Sequence, residues 1–101
     1  MKITLPMPEI QAFCRKWNIL EFALFGSVLR DDFTPKSDID VLVTFSPKAK
    51  RSGFDIIDMQ EELQKIFGRP VDLVEKRVVQ QSRNYIRKKY ILNSYQVLYA
   101  A

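Results

Sequence analysis

Two aspartates one residue apart, at the mouth of a strand-like run, constrain this chain more than any other stretch. Ile39, Val41, Val43 and Phe45 alternate with Asp38, Asp40, Leu42 and Thr44. Successive side chains of a strand point to opposite faces, so the pattern predicts a strand over 39–45. Asp38 and Asp40 then share a face, roughly 7 Å apart. Carboxylates that close repel unless a positive charge stands between them. A hard divalent cation with oxygen ligands, Mg²⁺ above all, meets that need. Upstream, residues 19–25 read as a first strand. Gly26 then permits a tight turn, and Ser27 is placed to cap a short helix over 27–31. Free amide groups at a helix start attract phosphate. A phosphate cradle beside a carboxylate pair describes a site for a metal-bound nucleotide.

Gly26-Ser27, ten residues, then Asp38-Ile39-Asp40, with Arg30 between them and an apolar strand behind, resembles the signature of the polymerase-beta-like nucleotidyltransferase superfamily. Within it the chain is similar to the minimal nucleotidyltransferases (MNT), short antitoxin-type members that often act beside a HEPN-domain ribonuclease toxin. The resemblance spans nearly the whole chain. It implies an α/β (α+β) nucleotidyltransferase fold, with a small mixed sheet of three to four strands flanked by helices, as a single domain over 1–101. It also places a third carboxylate after a helix and a Gly-x-x-Val turn, where Gly68-Arg69-Pro70-Val71-Asp72-Leu73 matches. From the residues alone, Asp72 is a carboxylate inside an apolar tetrad that must face a cation or solvent at an edge.

By resemblance, then, Asp38, Asp40 and Asp72 are catalytic and hold two Mg²⁺, and Gly26 and Ser27 clasp the terminal phosphates of a nucleoside triphosphate. Arg30 either contacts phosphate or pairs with Asp31 or Asp32. The implied reaction carries AMP from ATP to a tyrosine hydroxyl of a cognate HEPN toxin and silences it. One departure stands out: the family has Gly after the loop arginine, and here Asp31 occupies that place.

Composition narrows the chemistry. There is no histidine, which removes histidine metal ligands, histidine bases and Ser-His triads. Any metal is therefore held by oxygen, favouring magnesium or manganese over zinc. Cys14 is the only cysteine, so no internal disulfide forms, and a reducing cytoplasm is the expected location. No apolar run is long enough to span a membrane, and no secretory signal is expected. The net charge of +4, with nine of the sixteen Lys and Arg in the C-terminal half, suits nucleotides, nucleic acid or an acidic protein partner.

Along the chain, residues 1–7 read as an extended lead. Ile10, Phe13, Cys14 and Trp17 recur at helical spacing after Pro8, with Cys14 and Trp17 as core packing. Residues 48–53 form a basic loop. Ile56, Met59, Leu63, Ile66 and Phe67 stripe an amphipathic helix over 54–67. Asp55 and Asp58 favour its dipole, and Gly68 caps its end. Residues 71–74 form a third strand. A basic helix is expected over 80–90, with Tyr85, Ile86, Lys89 and Tyr90 near one face. The aromatic tail over 91–99 either docks a partner or packs on the domain's own core.

Three rival readings remain open at this level. One is a non-catalytic antitoxin acting by binding alone. Another is a nucleotidyltransferase for a small hydroxyl acceptor. The third is a nucleic-acid module using Arg83, Arg87, Lys88 and Lys89, although the usual aromatic-basic RNA motifs are absent.

Overall fold

The computed structural model describes residues 4–30, 33–47, 49 and 53–101. The elements run α1 (Met7–Lys16), β1 (Ile19–Phe25), a 3₁₀ turn (Gly26–Leu29), β2 (Ile39–Phe45), α2 (Gly53–Phe67), β3 (Val71–Glu75), α3 (Lys76–Gln80), α4 (Tyr85–Asn93) and β4 (Tyr95–Ala100). The four strands form one mixed sheet in the order β3-β2-β1-β4. β1 is antiparallel to both β2 and β4, and β2 is parallel to β3 with α2 as the crossover.

Helices cover both faces, and the sequence of β1 shows it. Phe22, Ala23, Leu24 and Phe25 are all buried, the continuous apolar run of a strand with no solvent face. On one face Phe22, Leu24, Ile39, Val41 and Val43 pack with Ile10, Phe13 and Cys14 of α1 and Met59 and Leu63 of α2. On the other, Ala23, Phe25 and Leu42 pack with Val79 of α3 and Ile91 of α4. The period-2 pattern of β2 thus divides as expected: Ile39, Val41 and Val43 face α1 and α2, while Asp40 shares the α3–α4 face with Leu42. Cys14 is core, and burial pushes its thiol up to about 12, which removes the thiolate a reactive cysteine needs.

The strands over 39–45 and 19–25 lie where the pattern placed them. Gly68 ends α2 at φ +69, with its amide bonded to the Gln64 carbonyl at 2.8 Å. Three expectations need correction. The helix expected over 27–31 is a 3₁₀ turn over 26–29. Ser27 lies inside it and does not cap it, because the preceding position is extended Phe25. The helix expected over 80–90 is two helices broken at 81–84. There Ser82 Oγ accepts from the Asn84 amide at 3.1 Å, and the Asn84 side chain accepts from the Arg87 amide at 3.2 Å, restarting the helix. The aromatic tail divides likewise: Ile91 ends up buried in α4, and Tyr95–Ala100 becomes β4, paired along β1. Lys76 fixes that strand from behind, donating to the Tyr95 hydroxyl at 2.9 Å and to Glu21 at 3.2 Å.

Met7 already belongs to α1, and the rest of the extended lead before residue 4 lies outside the described residues. Most of the basic loop over 48–53 lies outside them too, as do Asp31 and Asp32.

Candidate functional site

β-register builds the site. Phe25 sits opposite Asp40 on β2 and opposite Tyr95 on β4, and Asp40 sits beside Asp72 on β3. Residues in register on neighbouring strands point to the same face. Asp72, Asp40, Phe25 and Tyr95 therefore form a row across the sheet on the face that α3 and α4 cover. Asp38 lies one residue before β2, on the loop that enters it. Asp40 is half-buried, while Asp38 and Asp72 are exposed.

Electrostatics follow from that row. Burial pushes the Asp40 carboxyl above the usual range, and the charges of Asp72 and Asp38 push it further. Arg30 and Arg87 act in the opposite direction. A cation among the three carboxylates would relieve both burial and repulsion, and a histidine-free oxygen donor set suits Mg²⁺. Among the described residues no three ligand side chains stand together closely enough to hold a metal ion. Asp40 and Asp72 stand in register, with Asp38 at the entrance to β2.

Gly26 is held at this row by a steric need. Its φ is +78, and a Cβ built on it would overlap the Asp40 carboxylate, lying 3.2 Å from Cγ. Only glycine lets the backbone come this near the carboxylate in this conformation. Val28, buried in the α1–α2 core, anchors the turn from below. Beside the turn lies a cavity of about 440 Å³ lined by Gly26, Leu29, Arg30, Tyr90, Tyr95 and Gln96, among others. Arg30 donates to the Tyr90 hydroxyl across this cavity, a contact in neither of the roles the sequence suggested for it. Its possible partners Asp31 and Asp32 lie outside the described residues.

Arg69, given no role by the sequence, and Arg87 and Tyr90, assigned there only to the basic helix, also belong to this arrangement. Arg69, in the α2–β3 turn, donates to the carbonyls of Thr34 at 3.3 Å and Ser37 at 3.2 Å, and stacks over Phe33 at 4.8 Å. It clasps the loop that delivers Asp38. Arg87 and Tyr90 lie three apart on α4, which is helical spacing for one flank. Both fell within the helix expected over 80–90, so their spacing was legible, but nothing local tied that helix to the aspartate row. Arg69→Ala is expected to free the loop. The Ser37 amide, bonded to the Thr34 carbonyl at 3.0 Å, should lose protection in hydrogen exchange, and urea unfolding should register a loss of roughly 1 kcal/mol.

A family model described as nucleotidyltransferase domain matches residues 10–97. A protein of Methanocaldococcus jannaschii, MJ1379, provisionally named a protein adenylyltransferase, is 36% identical over 73 residues. That stretch is 72% of this chain and 71% of that protein. A crystal structure of a toxin–antitoxin with AMP-PNP has a chain that superposes with a TM-score of 0.73 at 20% identity, covering 96% of this chain and 75% of its own. A tri-AMPylated HEPN toxin of Shewanella oneidensis in complex with its MNT antitoxin gives 0.64 at 19% identity, covering 95% and 71%. Identities this low show a shared fold, a four-stranded mixed sheet flanked by helices.

Proposed function

This chain belongs to the nucleotidyltransferase domain family and is a nucleotidyltransferase, and on that premise we propose that it transfers AMP from ATP to a tyrosine hydroxyl of a HEPN-type toxin and so acts as its antitoxin. The observation that carries the reading is the in-register row of Asp40 and Asp72, with Asp38 at its entrance and the Gly26 turn against it. The relative named as a protein adenylyltransferase supports the protein acceptor, and the toxin complexes of the same fold support the partner. The whole chain, 1–101, acts as one domain in the cytoplasm.

Asp38, Asp40 and Asp72 would hold Mg²⁺, two ions by the family's pattern. Bound there, the ions would neutralise phosphate charge and lower the pKa of the attacking hydroxyl. The chain's own groups do the rest. Gly26 and Ser27 present backbone amides, and Ser27 a hydroxyl, to the terminal phosphates. Arg30 exchanges the Tyr90 hydroxyl for phosphate, the stronger, charge-assisted acceptor. Asp72, exposed on the edge strand, accepts the proton from the acceptor hydroxyl at its carboxylate. Pyrophosphate leaves as the tyrosine oxygen bonds to the α-phosphorus.

The test is intact mass of the purified cognate HEPN-type protein after incubation with this protein, ATP and Mg²⁺. The partner is expected to gain mass in whole adenylyl units, and to gain none with Asp38→Asn. An equal gain with Asp38→Asn, or no gain at all with the parent, would remove the reading. A partner that binds but is never modified would favour neutralisation by contact.

A further inference from the structure

Among the described residues, the two most exposed large apolar side chains and a third beside them lie on α4. Ile86 is 83% exposed, Tyr85 72% and Tyr90 49%, and Val78 of α3 is 60% exposed. Residues 85, 86, 89 and 90 share one side of a helix. Val78 lies apart from that side, in a small cleft with Arg87 and Lys88 on the flank of α4 nearer Ile91. Large aliphatic and aromatic groups concentrated on one exposed helix mark a contact surface. The opposite side of α4 is already engaged, with Ile91 buried against Ala23, Phe25 and Leu42.

We propose that this outward face of α4 is where the acceptor protein docks, and that the acceptor meets it with an apolar patch rimmed by acidic side chains. The inference rests on the protein-acceptor reading above and adds the surface and its chemistry. The acidic rim follows from charge. From Lys76 to Ala101 the chain carries six lysines and arginines and no aspartate or glutamate. Arg83, Lys88 and Lys89 flank the apolar residues on α4 and just before it. A second copy of this chain is a poor occupant, because two such helices would oppose like charges. RNA would use the cations but gives no reason to expose Ile86.

Position supports the same occupant. Tyr90 is part of the exposed face and also lines the cavity shared with Gly26 and Arg30. Arg87, one turn earlier, acts on the Asp40 carboxyl. A protein seated on α4 therefore borders, at Tyr90, the cavity that Gly26 and Arg30 line. That supplies an acceptor-binding surface beside the site.

The test is calorimetric binding, without nucleotide, between the purified protein and the purified cognate HEPN-type protein at low and physiological salt. Ile86→Asp is expected to weaken binding about thirtyfold or more, the mark of a central contact residue, with an unchanged melting temperature because the side chain is exposed. Tyr85→Ala should shift affinity in the same direction. Lys88→Glu with Lys89→Glu should weaken binding mainly at low salt. Undiminished binding by both Ile86→Asp and Tyr85→Ala overturns the proposal. So does a parent protein that binds RNA at physiological salt and loses its partner to that RNA. With no nucleotide present, these outcomes do not depend on AMP transfer. A partner that docks through α4 and never gains mass sinks the transfer reading and leaves the docking face standing.

Discussion

Asp40→Asn is expected to lower transfer about a thousandfold while raising the melting temperature of the metal-free protein. The loss follows from the role proposed for Asp40 as a metal-holding carboxylate. Metal-mediated charge stabilisation is worth several kcal/mol, and each ~1.4 kcal/mol is a factor of ten in rate. The gain follows from the folded environment. Burial, Asp72 and Asp38 hold the Asp40 carboxyl above its ordinary value. In the unfolded chain it titrates near ~3.9. Between those two values the folded state holds the extra proton, so stability is full below the unfolded pKa and falls as pH rises through the folded one. At neutral pH the parent therefore carries a charge that its fold disfavours, and asparagine does not. Thermal melts in EDTA at pH 4 and pH 7.5 check this. The variant should melt above the parent at pH 7.5, with the difference shrinking at pH 4. A variant that melts below the parent at pH 7.5 would contradict the repulsion account. Added Mg²⁺ should stabilise the parent and not the variant.

Gly26→Ala is the second large effect, and it acts on two quantities together. A non-glycine residue at φ +78 costs about 1–3 kcal/mol in backbone strain. The new methyl also overlaps the Asp40 carboxylate, so either the turn or the carboxylate must move. Val28 pins the turn into the core, so the carboxylate is the part that yields. Displacing it by an ångström should lower transfer at least about a hundredfold. A double-mutant cycle with Asp40→Ala separates the two costs. The strain should persist and the clash should vanish, leaving a stability penalty smaller than the sum of the single changes. Strict additivity would show that the methyl and the carboxylate do not meet.

What could be read from the sequence was whatever a local period encodes. Ile39 to Phe45 alternates cleanly because β2 has one fully apolar face and one face that carries Asp40. β1 is legible for the opposite reason, being apolar at every position but Glu21. The C-terminal third misleads because α4 has almost no apolar periodicity, its outward face being as apolar as its inward one. β4, half-exposed along an edge, shows no strict alternation either. The place of Asp72 beside Asp40 came from family resemblance, since register between parallel strands joined by a helix leaves no mark in either segment. The clasp of Arg69 on Ser37 and the contact of Arg30 with Tyr90 span 32 and 60 residues. No window of sequence holds both ends of either.

The pairing of β1 with β4 joins the first strand of the chain to the last, Phe25 to Tyr95 and Phe22 to Tyr99. Closing so long a loop costs entropy that the nearer pairs, β1 with β2 and β2 with β3, do not incur. On that ground the aspartate row is expected to assemble before β4 arrives, an order that pulsed hydrogen exchange would read. In that interval the edge of β1 through Phe22–Phe25 is open, apolar and free to accept any passing strand. The docking of β4 is therefore the step whose delay would leave that apolar edge uncovered.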